Sequence, residues 1–143
     1  KFDEAEMGQM FMSHAMIDDA QNFPNMDGPS VFKKAIVKMP EVVHEALTAN
    51  GLTAADINML IPHQANLRIA QFVQQKLQLR DDQVYNNIQK FGNTTAASVP
   101  IALASIPIAL SEAWEQGKIK EGDLVCLAAF GSGFTWAGAL IRW

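Results

Sequence analysis

Residues 124–141 carry no charge, and the way that stretch is broken constrains the fold more than any other feature of the chain. A membrane-spanning helix needs about 20 consecutive apolar residues, but Gly131, Gly133 and Gly138 interrupt this run. Leu124-Val125-Cys126-Leu127-Ala128-Ala129-Phe130 and Thr135-Trp136-Ala137-Gly138-Ala139-Leu140-Ile141 read instead as two buried strands around a tight Gly131-Ser132-Gly133 turn. The pair is expected to be antiparallel and adjacent. A second uncharged stretch, residues 92–111, also fails as a span, because it opens on Asn93-Thr94-Thr95 and contains Pro100 and Pro107. No membrane is expected as a partner.

Upstream, apolar residues at helical spacing (Val31, Ala35, Val42, Val43, Leu47) predict a helix over residues 30–50, kinked at Pro40 and stopped by Asn50-Gly51. Thr53-Ala54-Ala55-Asp56 has the form of a helix start, yet only Ile57-Asn58-Met59-Leu60-Ile61 follows before Pro62, so one turn and then a buried strand are expected. Ala65, Ile69, Phe72, Val73, Leu77 and Leu79 predict an amphipathic helix over residues 64–79. Residues 84–88 form a second strand candidate, residues 90–93 a turn, and residues 96–116 a strongly apolar helix closed by Gly117. Strands alternating with helices imply an α/β layered sheet. One short repeat is present: Ser98-Val99-Pro100-Ile101-Ala102-Leu103-Ala104 is followed at once by Ser105-Ile106-Pro107-Ile108-Ala109-Leu110-Ser111. Seven residues are too few for a solenoid unit, so this is a local duplication.

With 143 residues, 49% of them apolar, the chain can bury one ordinary core and is expected to be one domain or half of a larger one. A net charge of −4 with no run of Lys or Arg argues against nucleic acid. One cysteine allows no internal disulfide, and no Cys/His cluster suggests a metal, so a reducing, cytoplasmic setting is expected. The acidic start, Lys1-Phe2-Asp3-Glu4-Ala5-Glu6, does not read as a secretory signal. It lacks an initiating Met, and the chain is expected to be an internal piece of a longer one.

Among the three histidines, His63 follows a buried strand and Pro62 just ahead of a helix, where open α/β sheets build their sites. The nearby helix N-terminus disfavours added positive charge and should keep its imidazole neutral. On pattern alone it is as well read as a structural histidine as a functional one. Asn93 alone reads first as a cap or turn residue, and Gly131-Ser132-Gly133 first as a turn. Cys126, inside an apolar strand with no basic neighbour, is rejected as a nucleophile.

Taken together, Ile61-Pro62-His63-Gln64-Ala65-Asn66-Leu67-Arg68-Ile69, Phe91-Gly92-Asn93-Thr94-Thr95-Ala96-Ala97-Ser98-Val99-Pro100, and residues 122–136 closely resemble the C-terminal half of the β-ketoacyl-acyl carrier protein synthase III family. The resemblance covers residues 26–143, taken as the condensing-enzyme domain, while residues 1–25 form a weakly matched lead-in. It implies the C-terminal half of a thiolase-like layered αβαβα fold, a mixed sheet with helices on its faces. It also implies a decarboxylative Claisen condensation in fatty acid biosynthesis, joining an acyl group from acyl-CoA to malonyl-acyl carrier protein.

By that resemblance His63 and Asn93 are catalytic. Two neutral donors aimed at a thioester oxygen suit the enolate that forms as carbon dioxide leaves. Gly28, Phe32, Ala65 and Asn66 match residues that line the pantetheine tunnel. Phe130 matches the acyl gate, the Ser132 backbone N–H contributes to the oxyanion hole, and Arg68 receives the acidic carrier protein, although Arg68 also reads as a solvated helix charge. No permanently bound cofactor or metal is implied, coenzyme A entering as a thioester substrate. Implied partners are an N-terminal half carrying the nucleophilic Cys, acyl carrier protein, and a second copy in a homodimer of the complete enzyme. Alone, the chain should not condense anything. Alternatives are a related condensing enzyme of secondary metabolism, or a non-catalytic partner subunit of the same fold.

The sequence departs from the family pattern in three ways: it lacks a Cys in a nucleophile setting, carries Pro29 where a residue bonding the pantetheine arm is usual, and doubles a heptad present there once. The second copy is expected to start the following helix at Pro107, leaving residues 98–104 as an extra loop.

Overall fold

The computed structural model describes residue 18 and residues 26–93, 105–131 and 133–143. The first described helix, α1 (Gly28–Ala49), starts where the Asp27 carboxylate accepts the Ser30 N–H at 3.1 Å and ends at Asn50, with Gly51 at φ +67°. It runs through Pro40, which is buried. One 3-10 turn follows (Ala54–Asp56), closed by Asp56 accepting from the Thr53 backbone and hydroxyl, both at 2.8 Å. The next elements are β1 (Met59–Pro62) and α2 (Leu67–Leu77). A short α3 (Ile88–Phe91) precedes α4 (Ser105–Glu115), and β2 (Leu124–Gly131) and β3 (Thr135–Arg142) close the chain.

The strands form one mixed sheet in the order β1-β2-β3. β1 is parallel to β2, with Met59 opposite Val125 and Pro62 opposite Ala128, and the crossover between them carries α2, α3 and α4. β2 and β3 are the expected antiparallel pair, Leu124 facing Arg142 and Gly131 facing Thr135.

Successive strand residues point to opposite faces, and each face has its own core. Leu60, Leu124, Cys126, Ala128 and Phe130 join Ala35, Met39, Val43 and Leu47 of α1 and Val73 and Leu77 of α2. Met59, Ile61 and Val125 join Ala109 and Ala113 of α4 with Ile119. Leu60 and Ile61, neighbours in sequence, thus anchor different cores, and each buried side chain of this size stabilises the fold by about 1.5–3 kcal/mol relative to exposure. This helix-sheet-helix layering is the α/β arrangement expected from the sequence.

Three expectations are corrected. Residues 84–88 are not a strand: only Val84 bridges Leu60, and Tyr85 donates its N–H to the Leu60 carbonyl at 3.0 Å. Beyond that point the Asn87 and Ile88 amides are taken by a side chain and the chain turns into α3, so no ladder can continue. The helix after β1 is shorter than expected, because His63-Gln64-Ala65 forms a turn and Asn66 is the cap. Helix α4 includes Ser105 and Ile106, two residues ahead of the expected start at Pro107. The first heptad copy, residues 98–104, lies outside the described residues.

Candidate functional site

β1 and β2 end side by side because they are parallel, and His63 and Phe130 stand at that end. His63 extends the ladder one residue past β1, its backbone N–H donating to the Ala128 carbonyl at 2.7 Å. The Ala65 N–H then turns back to the His63 carbonyl at 3.0 Å. The Asn66 side chain caps α2 by accepting the Arg68 N–H at 2.9 Å, which leaves Arg68 exposed in the first turn. Burial holds the His63 imidazole below its ordinary range, favouring the neutral form. The direction is the one expected, but the cause is desolvation rather than the helix terminus.

Phe130, at the end of β2, is buried, its ring 6.1 Å from Phe134 and stacked on Trp136 at 6.4 Å. Lys34 of α1 stands 3.8 Å from the centroid of Phe134, which brings the first turns of α1 over this end of the sheet. Phe32 there meets Phe72 of α2 edge to face at 5.7 Å, while Gly28 is exposed at the first position of α1. Ser132 lies outside the described residues. Cys126 is buried in the sheet, which pushes its thiol up to about 12, the setting of an inert cysteine.

Asn93 lies two residues beyond α3, exposed, after Gly92 at φ +64°. Its segment is tied back to the His63 turn by a residue that sequence reasoning left without a role. Gln64 is buried, its Oε1 accepting from the Asn87 and Ile88 N–H groups at 3.0 and 3.1 Å while its Nε2 donates to the Pro62 carbonyl at 2.7 Å. Glu112 of α4 was also missed. It accepts from Asn87 Nδ2 at 2.7 Å and the Tyr85 hydroxyl at 3.4 Å, and pairs with Lys90 at 2.9 Å. Those donors hold the Glu112 carboxyl below its usual range, Lys90 foremost. The one sequence signal was the place of Gln64 inside the Pro62-His63-Gln64-Ala65-Asn66 string, and Glu112 had none beyond being the first charge after an uncharged stretch. Among the described residues no group of three His, Cys, Asp or Glu side chains could hold a metal ion, and no helix is long and apolar enough to cross a membrane.

A parallel pair flanked by an antiparallel strand, covered by helices on both faces, with a histidine at its carboxyl end, is the architecture of thiolase-like condensing enzymes. The profile of the 3-oxoacyl-[acyl-carrier-protein (ACP)] synthase III C-terminal family matches residues 47–143, and the chain belongs to that family. It is 44% identical over 135 residues to a β-ketoacyl-[acyl-carrier-protein] synthase III of Caldanaerobacter subterraneus subsp. tengcongensis, covering 94% of this chain and 39% of that protein. The crystal structure of 3-oxoacyl-[acyl-carrier-protein] synthase III from Aquifex aeolicus superposes with a TM-score of 0.78 at 42% identity, over 87% of this chain and 38% of that one. The priming β-ketosynthase of the R1128 polyketide biosynthetic pathway gives a TM-score of 0.75 at 28% identity, over 99% of this chain and 42% of that one. The chain thus spans about two fifths of the length of these relatives.

Proposed function

We propose that this chain is the C-terminal half of a β-ketoacyl-acyl carrier protein synthase III and supplies the donors for its decarboxylation step, with residues 26–143 as the condensing-enzyme domain. An N-terminal half with the nucleophilic Cys completes it, and the whole works as a cytoplasmic homodimer on acyl-CoA and malonyl-acyl carrier protein. The observation that carries this reading is an imidazole kept neutral by burial at the carboxyl end of the parallel pair. In the decarboxylation, the bond from the malonyl α-carbon to its carboxylate breaks and carbon dioxide leaves. The electron pair passes into an enolate whose oxygen accepts hydrogen bonds from His63 and Asn93. The enolate carbon then attacks the acyl thioester on the missing Cys, and the thiolate departs. Neither donor surrenders a proton, which is why an amide can share the work with an imidazole. Phe130 gates the acyl pocket, the Ser132 N–H contributes to the oxyanion hole, Gly28, Phe32, Ala65 and Asn66 line the pantetheine tunnel, and exposed Arg68 meets the acidic carrier.

A second reading is a condensing enzyme of secondary metabolism, favoured by the likeness to the R1128 priming ketosynthase. A non-catalytic partner subunit would need neither His63 nor Asn93, and retention of both counts against it. The test joins this chain to the N-terminal half and assays the two half-reactions separately. His63→Ala and Asn93→Ala should each lower carbon dioxide release by about 10²- to 10³-fold while acyl transfer to the Cys persists. Equal loss in both half-reactions would overturn the assignment.

A further inference from the structure

We propose that Gln64 is a positioning residue for decarboxylation, its amide fixing the His63 turn against the segment that carries Asn93. The proposal rests on the synthase reading above. Four hydrogen bonds meet on this one buried side chain. Nε2 donates to the carbonyl of Pro62, next to His63, at 2.7 Å and to that of Tyr85 at 3.4 Å. Oε1 accepts from the Asn87 and Ile88 amides at 3.0 and 3.1 Å. Two of these groups, Asn87 and Ile88, stand at the start of α3, whose exit leads through Gly92 to Asn93. His63 and Asn93 are 30 residues apart in sequence, yet each is separated from a Gln64 bond by at most five residues.

The chemistry selects an amide here. The site offers two carbonyl oxygens on one side and two N–H groups on the other, and only a group that both donates and accepts satisfies them. A buried carboxylate would face the carbonyls with like partial charge, and a thioether would leave the amides unpaired. Glu112 holds the far side of the same segment through Asn87 and Lys90, so Gln64 closes a network fixed at both ends. Misplacing a reacting group by about 1 Å can cost 10²-fold in rate. Gln64 therefore acts through its neighbours, without touching substrate.

The test uses the complete synthase with Gln64→Met, Gln64→Glu and, as a control elsewhere in the fold, Gln74→Met, whose glutamine bonds Asp81 and the Leu79 carbonyl. Decarboxylation and acyl transfer are followed separately, with amide exchange at Asn87 and Ile88. Gln64→Met should lower the kcat of decarboxylation by about 10- to 100-fold with its KM and the acyl-transfer rate within about twofold. Exchange at both amides should accelerate. Gln64→Glu, which keeps the acceptor, should retain amide protection but still lose decarboxylation, and Gln74→Met should leave both rates unchanged. Folded Gln64 variants with normal decarboxylation, or with equal losses in both half-reactions, would overturn the proposal. If His63→Ala spares decarboxylation in the wild-type background, the synthase reading fails instead, and unchanged amide exchange in Gln64→Met would refute the strut independently of activity.

Discussion

A methyl group added at Gly138 would stand 3.3 Å from both Cγ1 and the carbonyl oxygen of Val42, so α1 crosses β3 at the one residue of that strand without a side chain. Val42 Cγ1 can yield by a rotamer change, whereas its backbone oxygen cannot without moving the helix. Gly138→Val is therefore expected to force α1 outward at a cost of about 1–3 kcal/mol. Denaturant unfolding of the two proteins checks this. A midpoint unchanged by the substitution would show that α1 does not lie tight on the sheet.

Burial lowers the His63 affinity for protons in the fold below that of an unfolded chain, whose imidazole titrates near 6.5. Between the folded and unfolded values the unfolded chain binds more protons, so stability rises with pH through that window. The contribution is present above the unfolded value and is lost as pH falls through the folded one. Thermal midpoints of wild type and His63→Gln should accordingly diverge between pH 7.5 and 5.5, wild type losing more. Parallel curves would mean that His63 is as solvated folded as unfolded.

Cys126, with its thiol pushed up to about 12, should resist alkylation at pH 8 while the sheet is intact. Mass mapping after brief iodoacetamide treatment should find it unmodified, and fully modified once denaturant is added. Rapid labelling of the native protein would place the residue outside the core.

Pro107 is the third described residue of α4, and proline is tolerated in a first helical turn, where no acceptor awaits the backbone N–H it lacks. The second heptad copy can therefore serve this helix unaided, and removal of residues 98–104 should leave stability and condensation rate undiminished. A sharp fall in either, measured in the complete enzyme, would show that the first copy is integrated into the site.

The closing hairpin was legible because strands buried on both faces read as continuous apolar runs, here residues 124–130 and 135–141 on either side of a glycine-bearing turn. The His63 position was legible for a different reason, a proline-terminated strand running straight into an amphipathic helix. Residues 84–88 misled because Val84, Tyr85 and Ile88 have strand composition, and nothing local announces that a side chain more than 20 residues away will capture two of their amides. Gln64 and Glu112 share that invisibility. Most of their partners lie more than 20 residues away in sequence, and such pairings leave no periodic trace.

The Glu112 carboxylate bonds Asn87 and Lys90 on one side of residues 94–104 while itself lying on the other. That clasp ties the two ends of the Lys90–Glu112 span together, and by the loop-closure relation seven added residues raise the entropic cost of such a tie by only about 0.4 kcal/mol. Seven more residues within the clasped span thus cost little in closure entropy. Length variation among relatives of this chain should concentrate between Lys90 and Glu112.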